Sequence, residues 1–133
     1  AAARSTGRVL VMDDDPGIRT LAEEILTHAG YRVVTAADGE RAVAVFEEHR
    51  AGGTPVDLVI LDLTVPGGMG GAETLAALRR LDAGIVACVS SGYADDAILS
   101  DYGEHGFQAA IAKPYRNAEL LGAVEAALTA RRG

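Results

Sequence analysis

Five short apolar runs, separated by segments of helical period, constrain the fold of this chain more than any other feature. Within each run the apolar residues are mostly consecutive, which is typical of strands covered on both faces by other structure. The runs that we predict as strands are residues 8–12, 31–35, 57–61, 84–89 and 107–112. Strands that alternate with helices indicate an α/β domain with a parallel sheet and right-handed crossovers.

The segments after these runs predict five helices. The first has an apolar stripe over residues 18–29 with Gly30 as its C-terminal cap, and the second begins after Asp38 as N-cap. The third lies on the leucines of "ETLAALRRL", and the fourth, over residues 95–102, has the weakest pattern. The fifth begins near Asn117, and its apolar residues recur at helical spacing.

Composition limits the partners of this domain. A chain of 133 residues, 49% of them hydrophobic, suits one domain with one core, residues 8–131, after a linker or cloning remnant at 1–7. A net charge of −7 and a pI of about 4.8 argue against a nucleic-acid partner, which needs a basic face. No apolar stretch approaches the roughly 20 residues that span a bilayer. The single Cys88 excludes an internal disulfide and favours a reducing, cytoplasmic location.

Polar side chains follow four of the five predicted strands. In chain order they are Asp13 and Asp14, then Asp62, then Ser90 and Ser91, and finally Lys113. Because ligands of open parallel sheets bind beyond the carboxyl ends of the strands, we expect these side chains to share one rim. The sequence therefore predicts a site with three carboxylates, hydroxyls and one ammonium.

Carboxylates in such a cluster cannot all stay ionised without compensating charge. A hard divalent cation such as Mg²⁺ prefers oxygen ligands and supplies that charge, and Lys113 supplies more. An aspartate can also act as a nucleophile that accepts a phosphoryl group as an acyl phosphate. That reaction depends on positioning and charge neutralisation, which a metal, a lysine and a hydroxyl provide together.

Each residue of this set has a simpler interpretation when it is taken alone. Asp15 before Pro16 is best explained as a helix N-cap with proline at the first helical position. Ser91 alone would be a turn hydroxyl, and Lys113 alone would be a surface lysine. The glycines of residues 67–71 indicate a turn, because neither common phosphate-binding glycine spacing is present. The ordered set at successive strand ends, rather than any one member, indicates a site.

The blocks "VLVMDDDPGIRTLAEEIL", "DLVILDLTVPGG", "VSSGY" and "IAKPY" occur in this order. By these blocks the chain resembles the receiver (response regulator) domains of two-component signal transduction, over residues 8–131. The resemblance implies a flavodoxin-like, doubly wound (βα)5 fold with a five-stranded parallel sheet of order 2-1-3-4-5 and helices on both faces. The loop "PGGMGG" and the block "SSGYADD" are similar to receivers attached to hybrid sensor histidine kinases.

The resemblance also implies a metal site. Asp14 would bind Mg²⁺ (or Mn²⁺) directly, and Asp13 would do so largely through water. Asp62 would be a ligand as well as the reacting carboxylate. The backbone carbonyl of Thr64, two residues after Asp62, would be a further ligand.

The expected reaction is Mg-dependent phosphorylation of Asp62 by a phosphohistidine on a histidine kinase or a histidine phosphotransfer domain. Ser91 would hydrogen-bond the phosphoryl group, Lys113 would pair with one of its oxygens, and the Lys113–Pro114 peptide bond would be cis. Phosphorylation and dephosphorylation would be self-catalysed, so the domain would not be a conventional enzyme. It would act in a phosphorelay by switching protein contacts, through a partner, a homodimer or an attached domain.

One position departs from the family pattern, and other functions stay open. Many receivers carry an aromatic residue three positions before the lysine, where this chain has Ala110, and either Tyr93 or Tyr115 could substitute for it. An aspartyl-phosphate phosphatase is one alternative, but Thr64 stands where such enzymes often place a second carboxylate. A docking pseudo-receiver is another, which Ala110 keeps open, and a flavin-binding module has no specific residue in its favour.

Overall fold

Strands and helices alternate along the chain, as the sequence predicts. The structure, a computed structural model, describes residues 7–92 and 97–132. In chain order the elements are β1 Arg8–Met12, α1 Pro16–His28, β2 Arg32–Ala36, α2 Gly39–Ala51, β3 Leu58–Asp62, α3 Gly71–Leu81, β4 Val86–Ser91, α4 Ile98–Asp101, a 3₁₀ turn Tyr102–His105, β5 Ala109–Ala112 and α5 Asn117–Arg132.

The five strands form one parallel sheet in the order β2-β1-β3-β4-β5. Alternate residues of each strand face opposite sides, so the sheet contributes to two hydrophobic layers. Val59 and Leu61 pack in the layer under α2, α3 and α4, and Leu58 and Ile60 pack in the layer under α1 and α5. The predicted doubly wound fold with helices on both faces is confirmed.

The N-caps of the first two helices follow from the local sequence. Asp15 is the N-cap of α1, and its side chain accepts hydrogen bonds from the backbone N–H groups of Gly17 and Ile18. Asp38 caps α2 in the same way through the N–H of Arg41 at 2.8 Å. Both caps satisfy N–H groups that have no partner within the helix. Asp15 is thereby accounted for by its cap, as predicted.

Strand ends differ from the predicted limits at functionally relevant places. Asp62 is the last residue of β3, and Ser90 and Ser91 are the last two of β4, whereas we expected all three just beyond the strands. The ladder extends this far because Asp62 still pairs with Ser90 across the two strands. The strand β2 lies at the edge of the sheet, so its residues are more exposed than a doubly covered strand would be.

The helix predicted over 95–102 is much shorter in the structure. Of that range, residues 95 and 96 lie outside the described part, and α4 spans only Ile98–Asp101 before the 3₁₀ turn begins. Gly106 ends that turn with φ of 90°, a left-handed conformation that glycine adopts without strain. The predicted strand at 107–112 begins two residues later, at Ala109.

Cys88 lies at the centre of the sheet, in β4, and its side chain is fully buried. Burial raises the pKa of its thiol to about 12, because the apolar surroundings disfavour the thiolate. These observations fit an inert core cysteine. Within residues 7–92 and 97–132, none of the helices has the length and apolar character needed to cross a membrane.

Candidate functional site

The predicted site residues gather at the carboxyl edge of the sheet. Asp13 follows β1 directly, and its backbone N–H donates to the carbonyl of Ala36 at the end of β2. Asp62 ends β3 beside Ser90 of β4. The backbone N–H of Lys113 donates to the carbonyl of Ser91 at 2.9 Å, which carries the residue after β5 to the same edge. Four strand ends therefore present their polar side chains together.

A lysine ammonium joins two of the carboxylates. Lys113 Nζ lies 2.9 Å from Asp13 Oδ2 and 3.2 Å from Asp62 Oδ1. Asp13 and Asp62 are almost fully buried, so their charges receive little help from water. The second oxygen of Asp13 accepts a hydrogen bond from the backbone N–H of Asp15 at 2.9 Å. Asp13 is therefore hydrogen-bonded at both oxygens.

Three carboxylates of the site are close enough to share a cation. Asp13, Asp14 and Asp62 each offer an oxygen, and these oxygens lie within 4.8 Å of one another. Asp14 is exposed, and Asp62 Oδ2 is buried with no hydrogen-bond partner among the described residues. An unpaired, buried carboxylate oxygen beside an exposed carboxylate fits a hard divalent ion, which binds through oxygen. The donor set is thus suited to Mg²⁺ or Mn²⁺.

A cavity of about 360 Å³ opens above these groups. Its walls are formed by Asp14, Asp62, Thr64, Pro66, Ser91, Gly92 and Lys113. Of the set that the sequence predicts, Asp14, Asp62, Ser91 and Lys113 therefore line one space, whereas Asp13 and Ser90 are not among its lining residues. The volume is large enough for a small anionic group together with a cation and its water ligands.

Electrostatics within the site disfavour the ionised form of Asp62. Burial raises its pKa from 3.8 to about 6, and the negative charge of Asp13 acts in the same direction. The charge and hydrogen bond of Lys113 lower the pKa, but they do not outweigh those effects. The metal-free site therefore holds a carboxylate that would gain from a second positive charge.

Opposing effects also act on Lys113. Burial lowers its pKa, but the hydrogen bond to Asp13 and the charges of Asp13 and Asp62 outweigh burial and raise the pKa above its ordinary value. The lysine is therefore a firmly protonated cation in the site. The peptide bond between Lys113 and Pro114 is cis, as the resemblance implied.

The loop after β3 returns closely to the strand that it leaves. A side-chain carbon at Gly70 would lie 2.6 Å from the carbonyl oxygen of Leu63, and one at Gly71 would lie 2.9 Å from that of Asp62. Both distances are shorter than real side-chain carbons tolerate. Glycine is thus required at these positions so that the loop carrying Thr64 can turn back beside Asp62.

Ala110 lies on β5, and its small side chain packs against the layer under α2, α3 and α4. Tyr93, one of the two aromatic residues considered as a substitute, is outside the described residues. Tyr115, the other, is buried in the opposite layer, under α1 and α5. Tyr115 therefore does not occupy the side of the sheet to which Ala110 contributes.

Sequence reasoning did not find Arg19, and it considered Tyr115 only as a substitute for the missing aromatic residue. The Arg19 guanidinium, in the first turn of α1, donates to the backbone carbonyl of Asp13 at 2.7 Å and so fixes the peptide that precedes Asp14. Burial raises the pKa of the Tyr115 hydroxyl, and the negative charges of Asp13 and Asp62 act in the same direction. From the sequence, Arg19 could have been suspected only because it lies near the start of α1. No local sequence pattern indicates the direction of the Tyr115 side chain.

Comparison with known proteins agrees with this geometry. Residues 9–125 match the family described as the response regulator receiver domain. Sporulation initiation phosphotransferase F of Bacillus subtilis is 31% identical over 118 residues, which cover 89% of this chain and 90% of that protein. The transcriptional regulatory protein PrrA of Mycobacterium tuberculosis is 34% identical over 126 residues, 93% of this chain. The match covers 51% of PrrA, so the chain spans about half of that relative.

Solved structures show the same likeness. A CheY-like response regulator receiver domain protein from Methanospirillum hungatei has a TM-score of 0.80 at 28% identity, covering 96% of this chain and 98% of that one. The CheX–CheY–BeF3–Mg²⁺ complex from Borrelia burgdorferi has a TM-score of 0.78 at 29% identity, covering 89% and 86%. With the family match spanning most of its length, this chain belongs to the response regulator receiver domain family.

Proposed function

We propose that this domain accepts a phosphoryl group on Asp62 from a phosphohistidine of a sensor kinase or a histidine phosphotransfer protein. Members of the family are the phosphoacceptor domains of two-component response regulators, and they interact with such partners. The observation that carries the proposal is the buried Asp62 carboxylate, which lines the cavity beside Lys113 and keeps one oxygen without a hydrogen-bond partner among the described residues.

The chemical step exchanges one bond for another. The bond between the histidine nitrogen and phosphorus breaks as a bond forms between a carboxylate oxygen of Asp62 and phosphorus. The electron pair of the broken bond stays on the histidine nitrogen. Such transfers require an aligned acceptor and neutralisation of the phosphoryl oxygens rather than further covalent chemistry. Asp62 supplies the acceptor, and its position at the end of a central strand holds it in place.

Lys113 is placed to neutralise a phosphoryl oxygen. Its ammonium has three N–H donors, and Asp13 and Asp62 are within reach of two of them. The third donor is available for a phosphoryl oxygen in the adjoining cavity. Ser91 lines the same cavity, and we assign its hydroxyl the hydrogen bond to the phosphoryl group.

The acidic residues would hold Mg²⁺ or Mn²⁺ during this step. Asp14, Asp62 and the backbone carbonyl of Thr64 would bind the ion directly, while Asp13 would act largely through water because both its oxygens already accept hydrogen bonds. When bound, the ion supplies positive charge to the phosphoryl oxygens. The related CheX–CheY complex contains Mg²⁺ together with BeF3, which supports this assignment.

We further propose that phosphorylation acts by changing protein contacts within a phosphorelay in the cytoplasm. Sporulation initiation phosphotransferase F, a relative of nearly the same length, is a phosphotransferase by name and supports an output made through protein contacts. The loop "PGGMGG" and the block "SSGYADD" favour the attachment of this domain to a hybrid histidine kinase. Ala110 leaves this domain without the aromatic residue that reports phosphorylation in many receivers, so its output surface would respond by another route.

Incubation with a small phosphodonor and Mg²⁺, followed by intact-mass spectrometry, tests the proposal. We expect one phosphoryl group on the wild type and none on Asp62→Asn. The matched control is Asp82→Asn, because Asp82 follows α3 as its C-cap residue and lines a different cavity. Labelling of Asp62→Asn at the wild-type level would remove Asp62 from the acceptor role. A wild type that neither labels nor binds Mg²⁺ would favour a docking domain instead.

A further inference from the structure

Two buried hydroxyl groups next to the proposed acceptor site have no hydrogen-bond partner in the part of the chain that the structure describes. Tyr115 is 5% exposed and Ser90 is fully buried. Neither Tyr115 Oη nor Ser90 Oγ forms a hydrogen bond within the described residues. A buried hydroxyl that stays unpaired is costly, so its position calls for a physical explanation.

The two hydroxyls are on the same side of the sheet. Side chains alternate along β4, and Cys88 belongs to the layer under α1 and α5 while Val89 belongs to the other layer. Ser90 therefore faces the layer under α1 and α5, where the ring of Tyr115 packs. Burial raises the pKa of the Tyr115 hydroxyl, and the nearby Ser90 hydroxyl opposes this rise. The two groups are thus close, although they do not form a hydrogen bond of good geometry.

Each hydroxyl belongs to a segment that carries a proposed functional residue. Ser90 pairs with Asp62 across β3 and β4, and its carbonyl accepts the N–H of Leu63 at 2.9 Å. Tyr115 is two residues after Lys113, whose ammonium contacts Asp62. A hydrogen bond between the two hydroxyls would connect β4, the strand that pairs with Asp62, to the segment that carries Lys113.

We propose that Tyr115 is a positioning residue for Lys113, and that its hydroxyl pairs with Ser90 Oγ when the site is arranged for phosphoryl transfer. This inference rests on the proposed function and names a residue of the same site. The tyrosine does not touch the reacting atoms. It favours a shift of the ammonium, which lies beside Asp13 and Asp62 in this structure, further toward the cavity. The pairing of Tyr115 with Ser90 in that arrangement satisfies two buried hydroxyls that have no partner among the described residues.

Rate measurements on single and double variants test this role. Tyr115→Phe keeps the ring in the core and removes only the hydroxyl, and Ser90→Ala removes the other partner in a second, independent variant. The chain has no tryptophan, so phosphorylation by a small phosphodonor at saturating Mg²⁺ is followed by intact mass against time. Titration calorimetry measures Mg²⁺ affinity separately. Tyr31→Phe is the matched control, because Tyr31 is equally buried in the same layer and precedes β2 at the opposite edge of the sheet.

We expect each single variant to be phosphorylated about fivefold more slowly, as the loss of one hydrogen bond predicts. The double variant should be no slower than either single variant, since both remove the same interaction. The Kd for Mg²⁺ should stay within about twofold, because Lys113 rather than the metal ligands is displaced, and Tyr31→Phe should match the wild type.

Tyr115→Phe at the wild-type rate would overturn the proposal, and so would single-variant effects that multiply in the double variant. Slower transfer accompanied by an equal loss of Mg²⁺ affinity would also overturn it, since that result indicates general damage to the site. A wild type that takes up no phosphoryl group contradicts the proposed function itself. A wild type that labels normally beside an unaffected Tyr115→Phe contradicts only the role of the tyrosine.

Discussion

Replacing Asp62 with asparagine is expected to stabilise the metal-free protein at neutral pH. Asparagine has nearly the shape of a protonated aspartic acid, so the variant resembles the uncharged state of Asp62 at every pH. The structure disfavours the charged state, because Asp62 is 3% exposed and lies beside Asp13. The substitution thus removes an unfavourable charge while it retains a polar group that can face Lys113.

The expected size follows from the pKa of Asp62, which rises from 3.8 to about 6 on folding. One pKa unit corresponds to about 1.4 kcal/mol, so the ionised Asp62 lowers the free energy of unfolding by at most about 3 kcal/mol. Water reaches the site from the exposed Asp14 side, and screening reduces this value to about 1–2 kcal/mol.

The pH dependence has a defined sign. Between pH 3.8 and about 6 the folded protein retains the Asp62 proton that the unfolded chain has lost, so Asp62 makes wild-type stability fall as pH rises. Below this window the carboxyl is protonated in both states and has no effect. Above it the destabilisation is complete, so the variant should exceed the wild type most clearly at pH 7.

Urea unfolding followed by circular dichroism, with a chelator present and at several pH values, measures the difference. The comparison variant is Asp82→Asn, which makes the same change of charge away from the acidic cluster. We expect it to lack the stability gain of Asp62→Asn between pH 4 and 7. If Asp62→Asn is no more stable than the wild type at pH 7, or if its advantage grows toward pH 4, the electrostatic reasoning is wrong.

Three further changes test other parts of the structure. Asp14→Ala should remove most stabilisation by Mg²⁺, which for the wild type is about 2.7 kcal/mol at 100 times the Kd, and an unchanged thermal shift would place the metal elsewhere. Asp15→Ala should lower the free energy of unfolding by about 1 kcal/mol through the lost helix cap, and a large loss of Mg²⁺ affinity would contradict the assignment of Asp15 as a cap alone. Gly70→Ala should be destabilised by about 1–3 kcal/mol in chemical unfolding, because its new methyl group meets the Leu63 carbonyl, whereas Gly122→Ala in α5 has open space and should not be destabilised.

Much of the fold could be predicted because its signals are local. A proline after Asp15 and an apolar stripe behind it determine where α1 begins, and no long-range contact is needed to recognise this pattern. The position of Asp62 at a strand end follows from the buried run before it. The meeting of Asp13, Asp62 and Lys113 could also be inferred, because parallel strands bring their carboxyl ends to one edge.

Features that depend on tertiary contacts could not be predicted in the same way. The exact end of β4 depends on pairing of Ser90 with β3, which lies far away in sequence. The short α4 follows from a segment whose glycines favour a tight turn, while its apolar pattern extends further than the helix. The direction of the Tyr115 ring depends on the packing of α1 against α5, and α1 lies far away from Tyr115 in sequence.

The position of Cys88 provides a built-in reporter for these experiments. It is the single cysteine of the chain, and it lies two residues before Ser90 in a central strand with no exposed surface. A thiol reagent can therefore modify the protein only when this strand separates from its neighbours. The rate of modification would measure opening of the sheet core directly, without any added label, in the metal-free, metal-bound and phosphorylated forms.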